Sequence, residues 1–298
     1  MELNSDLLNL VSVLKSEKTV CLLAPSFPVD FEFPEILKKL KQIWFEKIVE
    51  LTYAAKIINL HYHRLFEENP DKQFICTNCP TIVKLVENKY PQHKDKLIDV
   101  ASPMVIMSRF VKKEFGEEYK TIFVGPCLAK KMESKEYWTV DYAIKFKELQ
   151  EIFDYYKENG LPYKEFVFDV TESGDIDFDK FYNDYTKVYP LSWAVAQTMH
   201  AKDILKEDQI LIVDGILGME EAMKKFESDT NIKFLDALSC IWWCIWWPGV
   251  ISKDSIEEKE KKVREYKEYC KKDKIWDKLW KFEFSEWLEI RYKTKETW

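Results

Sequence analysis

Short apolar runs separated by helix-period segments constrain this chain more than any other feature. The runs are TVCLLAPSF from Thr19, QFIC from Gln73 to Cys76, TIFVG from Thr121 to Gly125, EFVFDV from Glu165 to Val170, and QILIVDG from Gln209 to Gly215. Helical patterns fall at Asp6 to Lys15, Pro34 to Lys41, Thr52 to Glu68, Thr81 to Lys89, Met104 to Phe115, Phe146 to Tyr156 and Met219 to Phe226. A run without polar alternation suits a strand covered on both faces, and strands spaced by helices build βαβ units. The alternation therefore predicts an α/β protein with a largely parallel, doubly covered sheet. The longest apolar stretch, Leu238 to Ile251, is too short and too interrupted by proline and glycine to span a bilayer. The N-terminal MELNSDLL has neither a basic leader nor an apolar core, which predicts an unsecreted, cytoplasmic chain. A net charge of −7 without a basic stripe argues against nucleic acid as a partner.

Fold class does not specify chemistry, but cysteine placement narrows it. Cys79 lies in C-T-N-C-P after the run ending at Cys76, Cys127 in G-P-C after TIFVG, and Cys240 and Cys244 in S-C-I-W-W-C after the apolar FLDAL. All three loops follow apparent strands, where parallel sheets place their ligands. Four thiolates from three loops match the ligand count of an iron–sulfur cube. Zinc is the weaker metal reading, because structural zinc sites usually show paired knuckles and only Cys240 and Cys244 are spaced that way. Buried cysteines acting as small hydrophobes remain the alternative.

The flanking residues resemble the C-terminal catalytic domain of the [FeFe]-hydrogenase large subunit, closest to its sensory-type branch. Three family loops carry the likeness. T-S-C-C-P is met by Cys76-Thr77-Asn78-Cys79-Pro80, P-C-x-x-K-x-x-E by Pro126, Cys127, Lys130 and Glu133, and A-C-x-G-G-C by the spacing of Cys240 and Cys244. Ala24-Pro25-Ser26 and Ser102-Pro103 match two further elements, and the likeness runs over roughly residues 18 to 255. The resemblance implies two lobes of mainly parallel sheet flanked by helices, with a metal site in the cleft between them. It implies that Cys79, Cys127, Cys240 and Cys244 ligate a [4Fe-4S] cluster, and that Cys244 bridges to a diiron subcluster with CO and cyanide ligands, the pair forming the H-cluster. Lys130 would donate to one cyanide, Pro25 and Ser26 would serve the other, Pro103 would lie against the cofactor, and Glu133 would relay protons. Implied partners are a ferredoxin-type electron carrier or subunit and hydrogenase maturation proteins.

Three departures qualify that expectation. Asn78 occupies the proton-relay position of the family's cysteine; an amide does not titrate near neutrality, which predicts slow turnover suited to sensing. No C-x-x-C-x-x-C run precedes Thr19, so either electrons are expected to enter from a separate ferredoxin-type carrier or the chain is a fragment.

The third departure is larger. Trp242, Trp243, Trp246 and Trp247 stand in the third cysteine loop, and Trp44 and Trp193 fall at further family glycines. Glycine is used where a backbone needs positive φ or approaches a ligand closely. Indoles in that loop are expected to clash with a cluster, so the loop as written should not hold the metal site. The chain holds 7 glycines and 11 tryptophans, whereas average usage predicts roughly 21 glycines. One explanation is a UGA codon that encodes glycine and has been read as tryptophan; the other is a diverged relative with a true aromatic plug.

The functional expectation is reversible oxidation of H2 at the diiron cluster, slow and sensory. The alternative is a non-catalytic iron–sulfur or metal-free homologue with a regulatory role. Residues 1–255 are expected to form the catalytic domain, and the charged segment 256–298 a helical tail packed on it. Cys21 and Cys270 match nothing in the family and read as packing or surface thiols.

Overall fold

The computed structural model describes residues 2–166, 176–183, 185–246, 248–270 and 291. In chain order the elements are α1 (Ser5–Ser16), β1 (Thr19–Leu23), α2 (Glu35–Gln42), β2 (Lys47–Glu50), α3 (Thr52–Glu68), β3 (Phe74–Ile75), α4 (Pro80–Lys89), α5 (Pro103–Phe115) and β4 (Lys120–Gly125). They continue with α6 (Leu128–Glu133), β5 (Tyr142–Lys145), α7 (Phe146–Glu158), α8 (Ala194–Thr198), α9 (Ala201–Ile204), β6 (Ile210–Asp214), α10 (Ile216–Ser228), β7 (Phe234–Leu238) and α11 (Ile256–Tyr269).

Local chemistry explains several boundaries. Asn4 caps α1 by accepting from the Leu7 amide at 3.0 Å, and Leu7, Leu10, Val11 and Leu14 form its buried stripe. Proline opens both α4 and α5, where its missing N–H costs nothing. Ser255 and Glu258 close a capping box at the start of α11.

The strands assemble into two parallel sheets, one ordered β2-β1-β4-β5 and the other β3-β7-β6. Every residue of β1 is buried, as its uninterrupted apolar run required of an inner strand. α5 packs on β1 and β4, α7 on β4 and β5, and α2 on β2. In the second sheet β7 lies between its neighbours and alternates faces. Phe234 joins Tyr62 and Phe66 of α3, whereas Leu235 and Ala237 join Ile82, Val86, Met219, Met223 and Phe226 of α4 and α10. Two parallel sheets flanked by helices match the expected architecture.

Two expectations need comment. The run EFVFDV was read as a strand, but Glu165 and Phe166 are not in one, and residues 167–170 lie outside the described residues. β2 was not singled out, because its four residues offer too short a pattern to distinguish from the flanking turns. α11 packs on the body through Lys259, Val263 and Tyr266; the remainder of the expected tail, Arg291 excepted, is outside the described residues.

α11 is joined to the body by a buried polar network. Lys187 pairs with Glu50 at the end of β2, the Tyr266 hydroxyl lies 3.1 Å from the Lys187 ammonium and donates to Glu50 at 3.2 Å, and Thr52 donates to Glu50 at 2.8 Å. Burial pushes the Glu50 carboxyl up, opposed by Lys187 and the hydroxyl donors. Removing one partner of such a pair strands a buried charge at a cost of about 3–5 kcal/mol, whereas removing both charges is far milder. Lys187→Met is therefore expected to lower the unfolding free energy by about that amount in urea titrations. Adding Glu50→Gln to it should restore most of the loss.

Candidate metal centre

The carboxyl ends of both sheets open into one cavity. After β1 and β4, the central strands of the first sheet, the chain places Ala24-Pro25-Ser26 and Pro126-Cys127 at its wall. After β3 and β7 it places Asn78-Cys79-Pro80 and Cys244, and Asp236 and Leu238 of β7 line the same space. Pro103 and Met104 at the start of α5, together with Tyr189-Pro190-Leu191, complete the walls. The space free of protein atoms, including its mouth, is about 810 Å³. This is where open parallel sheets bind ligands, because the loops leaving their carboxyl ends diverge there.

The third cysteine loop is tied to the second. The Gly249 amide donates to the Pro126 carbonyl at 2.9 Å, and a Cβ on Gly249 would meet that oxygen at 2.4 Å, so this approach admits only glycine. The Cys244 amide donates to the Pro190 carbonyl at 3.0 Å.

The four cysteines of the three loops converge. Charge on Cys79 or Cys240 pushes up the Cys127 thiol; charge on Cys79 acts on Cys240; and charge on Cys127, Cys240 or Cys79 acts on Cys244, so every pair among the four interacts. Burial is the largest cause in each case and raises Cys127 to about 11, with Lys130 opposing it. Cys79 and Cys240 are also bridged by one hydroxyl, Ser239 Oγ, at 3.4 and 3.9 Å. Cys79, Cys127, Cys240 and Cys244 are partly exposed, whereas Cys21, Cys76 and Cys270 are buried. Cys76 Sγ accepts from the Ala237 amide at 3.2 Å and is buried just beyond the end of β3. Among the described residues no three His, Cys, Asp or Glu side chains close on a single metal ion. A cube accepts its thiolates at four separate corners and needs a wider spread.

The remaining expected residues also gather here, although Glu133 stands behind the wall. Lys130 Nζ donates to Glu133 at 2.7 Å and to the Asn78 carbonyl at 3.3 Å, leaving one of its three N–H donors for the cavity it lines. This pair lies three residues apart on α6 but is buried, unlike an ordinary surface pair of that spacing. Ser102 Oγ donates to Glu133 at 3.0 Å. The Asn78 side-chain amide donates to the Tyr189 hydroxyl at 3.0 Å. Ser26 Oγ and Asn78 Oδ1 are buried without a hydrogen-bonding partner among the described residues. Orphaned polar atoms cost about 1–3 kcal/mol each, so two of them on a cavity wall fit a site shaped for a polar occupant. The four thiols match in number the ligands of an iron–sulfur cube.

The tryptophans behave differently from expectation. No tryptophan lines the cavity among the described residues. The Trp243 indole donates to Asp214 at 2.7 Å, Trp242 is 47% exposed against Trp246, and Trp247 lies outside the described residues. The backbone is strained at Trp242 and Trp243, which have φ of 60° and 70°.

The sequence reading missed Asp236. It is buried on β7, accepts from the Ala196 amide at 3.1 Å, and faces the cavity. A lone carboxylate in an otherwise apolar inner strand was the available signal. The path from Tyr189 to Leu191 gave none, because that wall is set by tertiary contacts.

Residues 17–246 match the family described as the iron only hydrogenase large subunit, C-terminal domain. The chain belongs to this family. Solved [FeFe]-hydrogenases share the hydrogenase-domain fold. One structure, concerned with oxygen inactivation through the 2Fe subcluster of the H cluster, is 13% identical, with a TM-score of 0.62 over 87% of this chain and 88% of its own. Another, concerned with stepwise H-cluster assembly, is 12% identical with a TM-score of 0.61 over 87% and 88%. A variant of a Chlamydomonas reinhardtii enzyme is 13% identical with a TM-score of 0.64 over the same shares. At these identities the comparison carries the fold of the iron-only hydrogenase domain; the cysteine geometry of this chain comes from its own residues. Among the described residues no helix is long and apolar enough to cross a membrane.

Burial is the main cause that raises the Asp236 carboxyl from 3.8 to about 6. Its folded value lies above its unfolded one, so the protein is most stable below pH 4 as far as this group is concerned and loses stability as pH rises through 6. Two units correspond to about 3 kcal/mol. Asp236→Asn should therefore gain on the wild type by about that amount between pH 4 and pH 7 in denaturant titrations. A gap independent of pH would place the carboxylate in water.

Proposed function

We propose that Cys79, Cys127, Cys240 and Cys244 hold a [4Fe-4S] cluster, joined through Cys244 to a diiron unit with CO and cyanide ligands, and that the domain interconverts H2 with protons and electrons slowly enough to act as a sensor. The observation that carries this reading is that Cys79, Cys127 and Cys244 line one cavity at the mouths of two parallel sheets, with Cys240 joined to Cys79 through the Ser239 hydroxyl. When bound, such a cluster supplies the electron chemistry; the protein supplies ligation, dry packing and proton access.

Each of those roles has residues assigned to it. Pro25, Leu51, Pro103, Met104, Phe123, Leu191 and Val195 make an apolar wall that excludes water. Lys130, held by Glu133 and the Asn78 carbonyl, presents a compact cation to an anionic ligand on that wall. Ser26 Oγ and Pro25, on the wall of the same cavity, would receive a second polar ligand. Ser102 and Lys130 both donate to Glu133, a hydrogen-bonded chain that would serve as the proton relay. Asn78 interrupts delivery, since its amide donates but does not exchange a proton near neutrality. Electrons would come from a ferredoxin-type partner, and the diiron unit from maturation proteins.

Asn78 also supports a second reading, a domain that binds a cluster without turnover. Anaerobic iron and sulfide reconstitution should give four irons per chain with the absorbance and EPR of a cube. Cys127→Ser or Cys244→Ser should abolish it; iron uptake indifferent to these changes would refute the ligand set. Infrared bands of CO and cyanide after maturation support the hydrogenase, and a cube without them the second reading. In the matured protein, Asn78→Cys is expected to raise H2 turnover by roughly 10²-fold or more, with a new acid limb in its pH profile.

A further inference from the structure

We propose that the natural residue at positions 44, 193, 242 and 243 is glycine, encoded by UGA codons that the tryptophan sequence misreads. Among the described residues six non-glycine residues have positive φ, and four of them are Trp44 at 82°, Trp193 at 59°, Trp242 at 60° and Trp243 at 70°. Only a few per cent of non-glycine residues adopt such values, so 11 tryptophans should supply fewer than one. Bulky side chains are the least suited to them, since their Cβ crowds the backbone in the left-handed region.

The local structures are those in which glycine is ordinarily found. α2 ends in a two-bond C-terminal motif: the Trp44 amide donates to the Lys41 carbonyl at 3.0 Å and the Phe45 amide to the Leu40 carbonyl at 3.2 Å. With Ile43 as the cap residue, position 44 is the left-handed site that closes this motif, usually glycine. Trp193 stands immediately before α8 in left-handed conformation, and Trp242 does the same before the short turn at Trp243–Ile245. By contrast Trp246 has φ of −111°, and its backbone makes no demand for glycine.

The indoles are only partly buried, Trp44 beside one core cluster and Trp193 and Trp243 beside another, and make few specific bonds in return for the strain. Trp242 is 47% exposed, Trp44 Nε1 reaches the Pro162 carbonyl only at 3.4 Å, and Trp193 lies under the exposed Arg264 at 5.0 Å. Trp243 alone makes a short bond, to Asp214. A true aromatic plug would bury complementary surface in exchange for four unfavourable turns. A single codon, UGA in place of UGG, explains the strained turns, the shortage of glycine and the excess of tryptophan together. With glycine at 242 and 243 the segment between Cys240 and Cys244 loses its steric restriction, a consequence for cluster binding that rests on the proposed function.

The nucleotide sequence of the gene decides the matter: UGA at codons 44, 193, 242 and 243 is expected, and UGG at any of them overturns the assignment there. Peptide mass spectrometry of the protein from its own cells should show glycine in the peptide spanning Cys240 and Cys244; tryptophan overturns it. Recombinant chain with Trp44→Gly, Trp193→Gly, Trp242→Gly and Trp243→Gly should melt roughly 5 °C or more above the tryptophan chain, because four strained turns relax. An unchanged or lower melting point counts against it. Reconstituting both chains with iron and sulfide keeps the two ideas apart. UGA codons with no cube in the glycine chain would remove the cluster and leave the glycine assignment standing.

Discussion

Everything in this domain depends on where a parallel strand lets go of its chain. A buried parallel strand must direct its following loop outward at its carboxyl edge, and here two sheets aim those edges at a common space. Pro25 and Cys127 follow adjacent strands of one sheet; Cys79 and Cys240 follow adjacent strands of the other. Four sulfur atoms distant in the chain thereby come into one electrostatic neighbourhood. Desolvation of their sulfur atoms favours the protonated form of Cys127, Cys240 and Cys244, with Lys130 opposing it at Cys127 and Cys244.

Two polar systems surround this centre, and they serve different ends. Glu50, Lys187, Thr52 and Tyr266 satisfy one another completely and tie α11 to the first sheet. The cavity wall leaves Ser26 Oγ and Asn78 Oδ1 unanswered. A folded chain tolerates orphaned groups where a ligand completes them, and these two face the same cavity. Asp236 belongs to both, packed on an inner strand yet open to the cavity.

The tryptophans are where local preference and global fold disagree most. Natural sequences are locally consistent with their structures, and four of the six left-handed non-glycine residues among the described ones being tryptophan, with only Phe181 and His200 besides, is not a property of the fold. The disagreement sits in the backbone at Trp44, Trp193, Trp242 and Trp243, while the rings themselves stay out of the cavity. The fold has absorbed the side chains and kept the turns.

Much of this was readable before any coordinates. The period of the apolar runs located β1, β3, β4 and β6 and the long helices, because burial on two faces leaves an uninterrupted signal. The strand-then-cysteine order marked Cys79, Cys127, Cys240 and Cys244, and the loop patterns marked Lys130, Glu133, Pro25, Ser26 and Pro103. Short β2 was beyond that reach, since four residues carry no period. Sequence alone fixed which residues carry reactive groups and which strand each follows. Only the tertiary structure decided that the mouths of the two sheets coincide, that Asp236 and Tyr189 share their wall, and that the described indoles stay off it. Those facts depend on contacts between segments distant in the chain, such as Asn78 with Tyr189, and no local pattern encodes a distance of that kind.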